Sequence, residues 1–383
     1  MSQMNAGYNK RHVKHNKHNT HLQSIGTHDT EISTWSLSRK STGHPNQKQH
    51  PTTSATQLTE ATMAPSSDSD TEDDLPSNVV ILTPDEILYQ GLQLAGWKRE
   101  RLNRRQQATN EEQYRGLYGL HPAMVAQLCE DLQTTTIEGA RIEKLNVDKL
   151  HWALHFLYRY PTETERESMW QKCANTIRVS SWYYIDKIRT LKHMKIVWPQ
   201  SSQFADDIWI MTVDGTHLVT LEPGDSDIPK DPSYFSFKHH AAGFNYEVGV
   251  DLFTSRCIWL SGPHKAGTYN DAKMFREKGL MRRLLSLGKK AIGDEGYRGF
   301  PDSVSTVNPL DSDPVREFKV RARQRHEVYN SKLKAFAVLS ERFRCKNNPN
   351  DKFSVDEKLQ MCFEAVAVLV QYKMEMGEPL FDI

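Results

Sequence analysis

The stretch Trp209-Ile210-Met211-Thr212-Val213-Asp214-Gly215-Thr216-His217 decides how the rest of the chain is read. Five residues of strand character run into a carboxylate, and a glycine follows at once. A buried strand that ends in Asp sets that carboxylate at the rim of a sheet, where a cation or a substrate reaches it. Gly215 lets the backbone turn or lets a ligand come close. Asp-Gly is also the strongest short hairpin signal, so the reading depends on which other carboxylates accompany Asp214.

Two follow at nearly equal intervals. Asp271 sits just past a strand that ends near Gly262, at the head of a helix, and Glu327 lies in mid-helix. Hard divalent cations take oxygen ligands, and a pair of them stabilises both the attacking and the leaving oxygen in phosphoryl transfer. At 100° per residue, Arg323, Glu327, Asn330 and Lys334 share one helix face within about 60°. Phe318, Ala322, Tyr329, Leu333 and Phe336 occupy the other side. Between residues 316 and 346 there are ten Lys and Arg against three Glu. A solvated face with local ion pairs is the ordinary meaning of such a run. So large an excess repels itself unless an anion neutralises it, and Arg323 and Lys334 are placed to hold phosphate.

Around this centre the chain has room for two or three domains, with 383 residues. Its net charge of +1 leaves any nucleic-acid argument to local patches. Five scattered cysteines without CxxC spacing argue against a disulfide framework or a zinc ribbon and for a reducing compartment. No stretch has the length of a signal-peptide core or a membrane span. Residues 1–78 are rich in His, Asn, Gln, Ser and Thr and end in the acidic run 68–74. They are expected to be a disordered tail, because so little apolar surface does not offset chain entropy.

Residues 79–145 read as a helical linker region. Helix starts lie at Thr83-Pro84 and His121-Pro122. The basic run 98–105 reads as a nuclear-import signal, a phosphate-contacting arm or simply a solvated helix face. Residues 146–200 carry three helices. The first stops at Pro161, the second opens on the capping box Thr162–Glu165, and the third has a polar N-terminal edge with Asn175, Thr176, Arg178 and Ser181. That pattern suits a helix-turn-helix whose third helix faces a DNA groove, with a plain helical bundle as the alternative. From 201 to 383, strands are expected at 208–213, 217–221, 246–253, 256–261 and 289–293. Helices are expected at 270–285, 314–344 and 355–374. Strands that cluster first and then alternate with helices suit one mixed sheet with helices on its faces. Asp294 reads as a supporting group at a strand end. His217 adjoins the proposed site, but no histidine spacing matches zinc.

Several segments together resemble a DDE transposase of the Harbinger type. They are VDGTH (213–217), SFKHHAAGFNYEVGVDL (236–252), WLSGPHKAGTYNDAKMFR (259–276), AIGDEGYRGF (291–300) and RARQRHEVYNSKLKAFAVLSERFR (321–344). The wider group carries Y-x2-R-x3-E-x6-K around its catalytic Glu. Arg323, Glu327 and Lys334 match that pattern, and Val320 stands in the Tyr place. The resemblance implies an α/β, RNase H-like catalytic sheet preceded by the helix-turn-helix. It implies two Mg²⁺ or Mn²⁺ ions on Asp214, Asp271 and Glu327, with Asp294, Arg323, Lys334 and His217 in support. It also implies DNA as substrate (element ends and target site), a homo-oligomer in the nucleus and a Myb-like DNA-binding partner. The alternatives are a domesticated descendant that binds DNA without cutting it, and a metal-dependent nuclease without strand transfer.

Overall fold

The computed structural model describes residues 79–200, 207–221, 230–344 and 352–383. The tail expected over residues 1–78 lies outside the described residues. Helices come first: α1 (Pro84–Leu94), α2 (Arg99–Asn103), α3 (Gln107–Tyr118), α4 (Pro122–Thr134), α5 (Val147–Arg159), α6 (Glu163–Trp170), α7 (Ala174–Thr190) and α8 (Lys192–Lys195). Their starts are set locally. Thr83 and Glu86 close a capping box on α1, and Thr162 and Glu165 close one on α6.

The sheet is built from β1 (Trp209–Val219), β2 (Phe235–Ser236), β3 (Ala241–Asp251), β4 (Cys257–Lys265), β5 (Lys290–Ile292) and β6 (Val304–Ser305). It runs in the order β2-β3-β1-β5-β6, with β4 also pairing β3. β1, β3 and β4 are antiparallel neighbours, and β5 and β6 run parallel to β1. Between β4 and β5 lie α9 (Asp271–Glu277) and α10 (Leu280–Leu287). After β6 come α11 (Asp313–Lys334), α12 (Ala337–Ser340) and α13 (Val355–Glu375).

Strand alternation divides the two faces of the sheet. Tyr246, Val248 and Val250 of β3 join the large core that contains the N-terminal helices and α13. Gly249, on the intervening face, packs on Met211 and Trp259. That side belongs to a smaller core made with Phe275, Leu280, Leu284 and Tyr297. Helix α13 is buried on nearly every side from Leu359 to Met374, and the Phe363 ring stacks on Tyr246 at 3.8 Å. Helices α1–α7 therefore share one core with the sheet. No described helix is long and apolar enough to cross a membrane.

Three local expectations change. The two strands expected around Asp214 are one 11-residue strand, with Asp214 opposite Val248 and Gly215 opposite Glu247. Asp-Gly is no turn here, because pairing with β3 continues to Val219 and outweighs the local signal. The helix expected over 270–285 breaks at Gly279, whose φ of 107° is left-handed territory. The helix expected to reach Arg344 ends at Lys334, since Phe336 turns extended and buries itself with Val338, Leu339 and Phe343. Those four side chains do not share one helical face.

Candidate functional site

β1 and β5 pair in parallel only as far as Thr212 and Ile292. Past that point the two chains part, and a crevice opens at the carboxyl end of β5 beside the middle of β1; the carboxyl ends of parallel strands are the usual place for a ligand in such sheets. Asp214 lies on β1 just beyond the split. Asp294 follows β5 and caps the short turn after it, accepting from the Gly296 N–H at 2.9 Å. Helix α11 crosses the same opening. One small cavity of about 50 Å³ is lined by Asp214, Asp294, Arg323, His326 and Glu327.

The Asp214 carboxylate is held from both ends. The Gly215 N–H donates to Oδ1 at 2.8 Å, and Asn330 Nδ2 donates to Oδ2 at 3.3 Å. Burial, together with Asp271, Asp294 and Glu327, pushes the Asp214 carboxyl up to about 7. Beneath it, Thr212 Oγ1 and His326 Nδ1 meet at 2.7 Å. Burial pushes that imidazole down to about 3, so it is a neutral structural ring.

Asp271 approaches from the other side. Asp214 shares its strand face with Thr212 and α11, whereas Gly215 faces α9. The Asp271 carboxylate fills the space that a Cβ on Gly215 would occupy. It pairs with Lys238 Nζ at 3.3 Å and lines a larger cavity of about 320 Å³ with His217, His239 and Lys334. Asp214 and Glu327 thus line one cavity and Asp271 the adjoining one, and Asp271 is the strongest of the three carboxylate influences on Asp214. Asp294 joins Asp214 and Glu327 in the smaller cavity, and Asp271 reaches Asp214 from the Gly215 side of the strand. Glu295 is exposed and ion-paired with Arg298, away from the crevice.

The other expected residues divide. Arg323 and Lys334 are exposed on the α11 face that carries Glu327. On α7, Asn175 and Thr176 are exposed, and Arg178 is held by Glu163 at 3.0 Å and Asn175 at 2.9 Å. Ser181, expected on the same DNA-facing edge, is 2% exposed and accepts from Arg166. It packs inward and presents nothing to a groove. Lys238 and Glu247 were not singled out from the sequence. Lys238 had no spacing to mark it, and Glu247 became visible only through its register opposite Gly215. Burial pushes the Glu247 carboxyl up to about 7, and Trp259 Nε1 donates to it at 2.9 Å.

The donor set fits a hard divalent cation. It is made of carboxylate oxygens without sulfur, crowded enough to hold Asp214 partly protonated, and the Lys238 ammonium already sits on Asp271 as a stand-in cation. Among the described residues, no three His, Cys, Asp or Glu side chains are already gathered as a metal cluster. Residues 213–371 match a family model described as DDE superfamily endonuclease, which supports an endonuclease of that superfamily. Comparison with curated proteins and with solved structures gave no match.

Proposed function

We propose that the segment matching the DDE superfamily endonucleases makes this chain a Harbinger-like transposase, which cuts DNA strands and transfers them. The observation that carries the reading is the crevice where β1 and β5 part, in which Asp214, Asp294 and Glu327 line one cavity. The strand order, with an antiparallel β1-β3-β4 set and β5 and β6 parallel to β1, supports an RNase H-like sheet. Two Mg²⁺ or Mn²⁺ ions held by Asp214, Asp271 and Glu327, with Asp294 in support, would activate water and stabilise the attacking and leaving oxygens. The Gly215 N–H and Asn330 orient the Asp214 carboxylate toward the crevice. Arg323 and Lys334 set positive charge beside it for the phosphate. Water attack on phosphorus frees a 3′-hydroxyl and leaves a 5′-phosphate. That hydroxyl then attacks a target phosphodiester and displaces another 3′-oxygen.

The same proposal takes α5–α7 as a helix-turn-helix in which Asn175, Thr176 and Arg178 meet DNA. It takes the working form as a homo-oligomer in the nucleus, beside a Myb-like partner. Support for the helix-turn-helix is the exposed start of α7, and the remainder follows from the resemblance.

The test is incubation of the full chain with DNA that carries the inverted repeats flanking its gene, in Mn²⁺ and in EDTA. Metal-dependent nicks at the repeat ends and joined strand-transfer products are expected. Nicks without joined products reduce the reading to a nuclease, and binding without nicks reduces it to a DNA-binding descendant. Asp271→Asn and Glu327→Gln each remove cutting, and Glu295→Gln keeps it. The reverse pattern overturns the assignment of the carboxylates.

A further inference from the structure

The cavity on the α9 side of β1 adjoins the carboxylate crevice and contributes Asp271 and Lys334 to the chemistry above, which leaves most of its lining unused. Its volume of about 320 Å³ falls at the lower end of the range for small-ligand sites, roughly 300–1,000 Å³. One wall is a pair of imidazoles. The His217 and His239 rings lie 4.3 Å apart and within 8° of parallel. Asn245 Nδ2 donates to the Tyr269 carbonyl at 2.7 Å, so Asn245 Oδ1 is left to accept from His217 Nδ1 at 2.8 Å. His217 Nε2 is then the bare ring nitrogen, and it is buried without a partner. Burial holds both histidines below their ordinary pKa. The pair is therefore a flat neutral plate and not two repelling cations.

At the rim, Phe237 is 82% exposed, with Phe235 edge-on to it at 5.4 Å. Lys238 and Lys334 bring positive charge to the same cavity, and Ser236, Thr268, Asn270 and Asp271 bring donors and acceptors. Aromatic faces with cations beside them and polar groups around them match a nucleobase and its phosphate. A lipid chain would leave the polar groups unpaired. Gly215 lines this cavity and Asp214 lines the crevice, so the two openings are one residue apart along β1. A base stacked inside a duplex does not reach such a pocket and must first leave the stack.

We propose that this cavity receives one unstacked nucleotide of the DNA strand, next to the phosphate that lies in the carboxylate crevice. Its base rests against His239 and Phe237, and its phosphate faces Lys238 and Lys334. The inference rests on the reading of this chain as one that acts on DNA, and its test does not depend on cutting.

The full chain is titrated in EDTA with a fluorescently labelled single-stranded oligonucleotide, and with the duplex of the same sequence, by fluorescence anisotropy. Phe237→Ala and His239→Ala are each expected to weaken single-strand binding about tenfold or more. Duplex binding stays within about twofold, and Phe237→Trp restores the single-strand affinity. Thermal melts of the variants check the fold, which an exposed Phe237 does not support. The proposal is overturned if the wild type fails to bind the single strand, if both alanine variants bind it like wild type, or if single-strand and duplex binding fall together. Pocket-dependent binding without metal-dependent cutting would remove the nuclease reading and leave the pocket. Cutting that ignores the pocket variants removes the pocket alone.

Discussion

Removing the charge at Asp214 should make the protein more stable, although the residue sits at the centre of the site. The carboxyl is raised from 3.8 to about 7 by burial and by three neighbouring carboxylates. Because the folded value lies above the unfolded one, its contribution to stability is whole below about pH 4 and is lost as pH rises through 7. At about 1.4 kcal/mol per unit, the ionised form costs the folded state about 4 kcal/mol at pH 8. Asn offers one carbonyl oxygen where Asp offers two, so either the Gly215 N–H or Asn330 loses its acceptor, at about 1 kcal/mol. The net expectation for Asp214→Asn is a gain of about 3 kcal/mol at pH 8 and less than about 1 kcal/mol at pH 5. For a chain of this size that is a rise in Tm of about 5 °C at pH 8. The assay is thermal melting of both proteins in EDTA at the two pH values, repeated with Mn²⁺. Mn²⁺ should raise the wild-type Tm at pH 8 and leave the variant nearly unmoved. A variant that melts at or below wild type at pH 8 in EDTA refutes the argument that these carboxylates crowd one another.

Three further outcomes follow from the same geometry. Gly215→Ala puts a Cβ where the Asp271 carboxylate lies; that carboxylate can swing away, so Tm should change little while metal-dependent cutting falls at least tenfold. Glu247→Gln keeps an acceptor for Trp259 and removes a buried charge, so its melts should show a gain of about 3 kcal/mol at pH 8 and little at pH 4. Arg178→Ala breaks an exposed pair with Glu163, so chemical denaturation should show less than about 1 kcal/mol of lost stability. The same variant should lose about 1–3 kcal/mol of DNA affinity if Arg178 reads a base, which filter or gel binding will show.

What the sequence revealed and what it hid divide by range. The caps at Thr83 and Thr162 are local devices four residues long, and they appear where the pattern put them. The α11 face was also legible, because 100° per residue fixes Arg323, Glu327, Asn330 and Lys334 on one side without help from the fold. The continuation of β1 through Asp214 was not, since it depends on a partner strand about 30 residues away in the chain. For the same reason the neighbours of Asp214 were hidden: the place of Asp294 comes from the parallel pairing of β5, and that of Asp271 comes from the opposite face of the sheet. Ser181 looked like a polar edge residue until Arg166 of a neighbouring helix covered it.

Helix α13 follows, in chain order, every element it packs against. During synthesis the sheet and the N-terminal helices therefore emerge with their shared apolar face uncovered, and the side chains from Leu359 to Met374 arrive only afterwards. Until then the nascent chain presents Tyr246 and the faces of α7 and β4 that α13 covers to whatever binds exposed apolar surface, chaperones included. A message that stops translation before Val355 leaves that face without its cover, so truncated copies are expected to aggregate or be degraded before they compete for DNA.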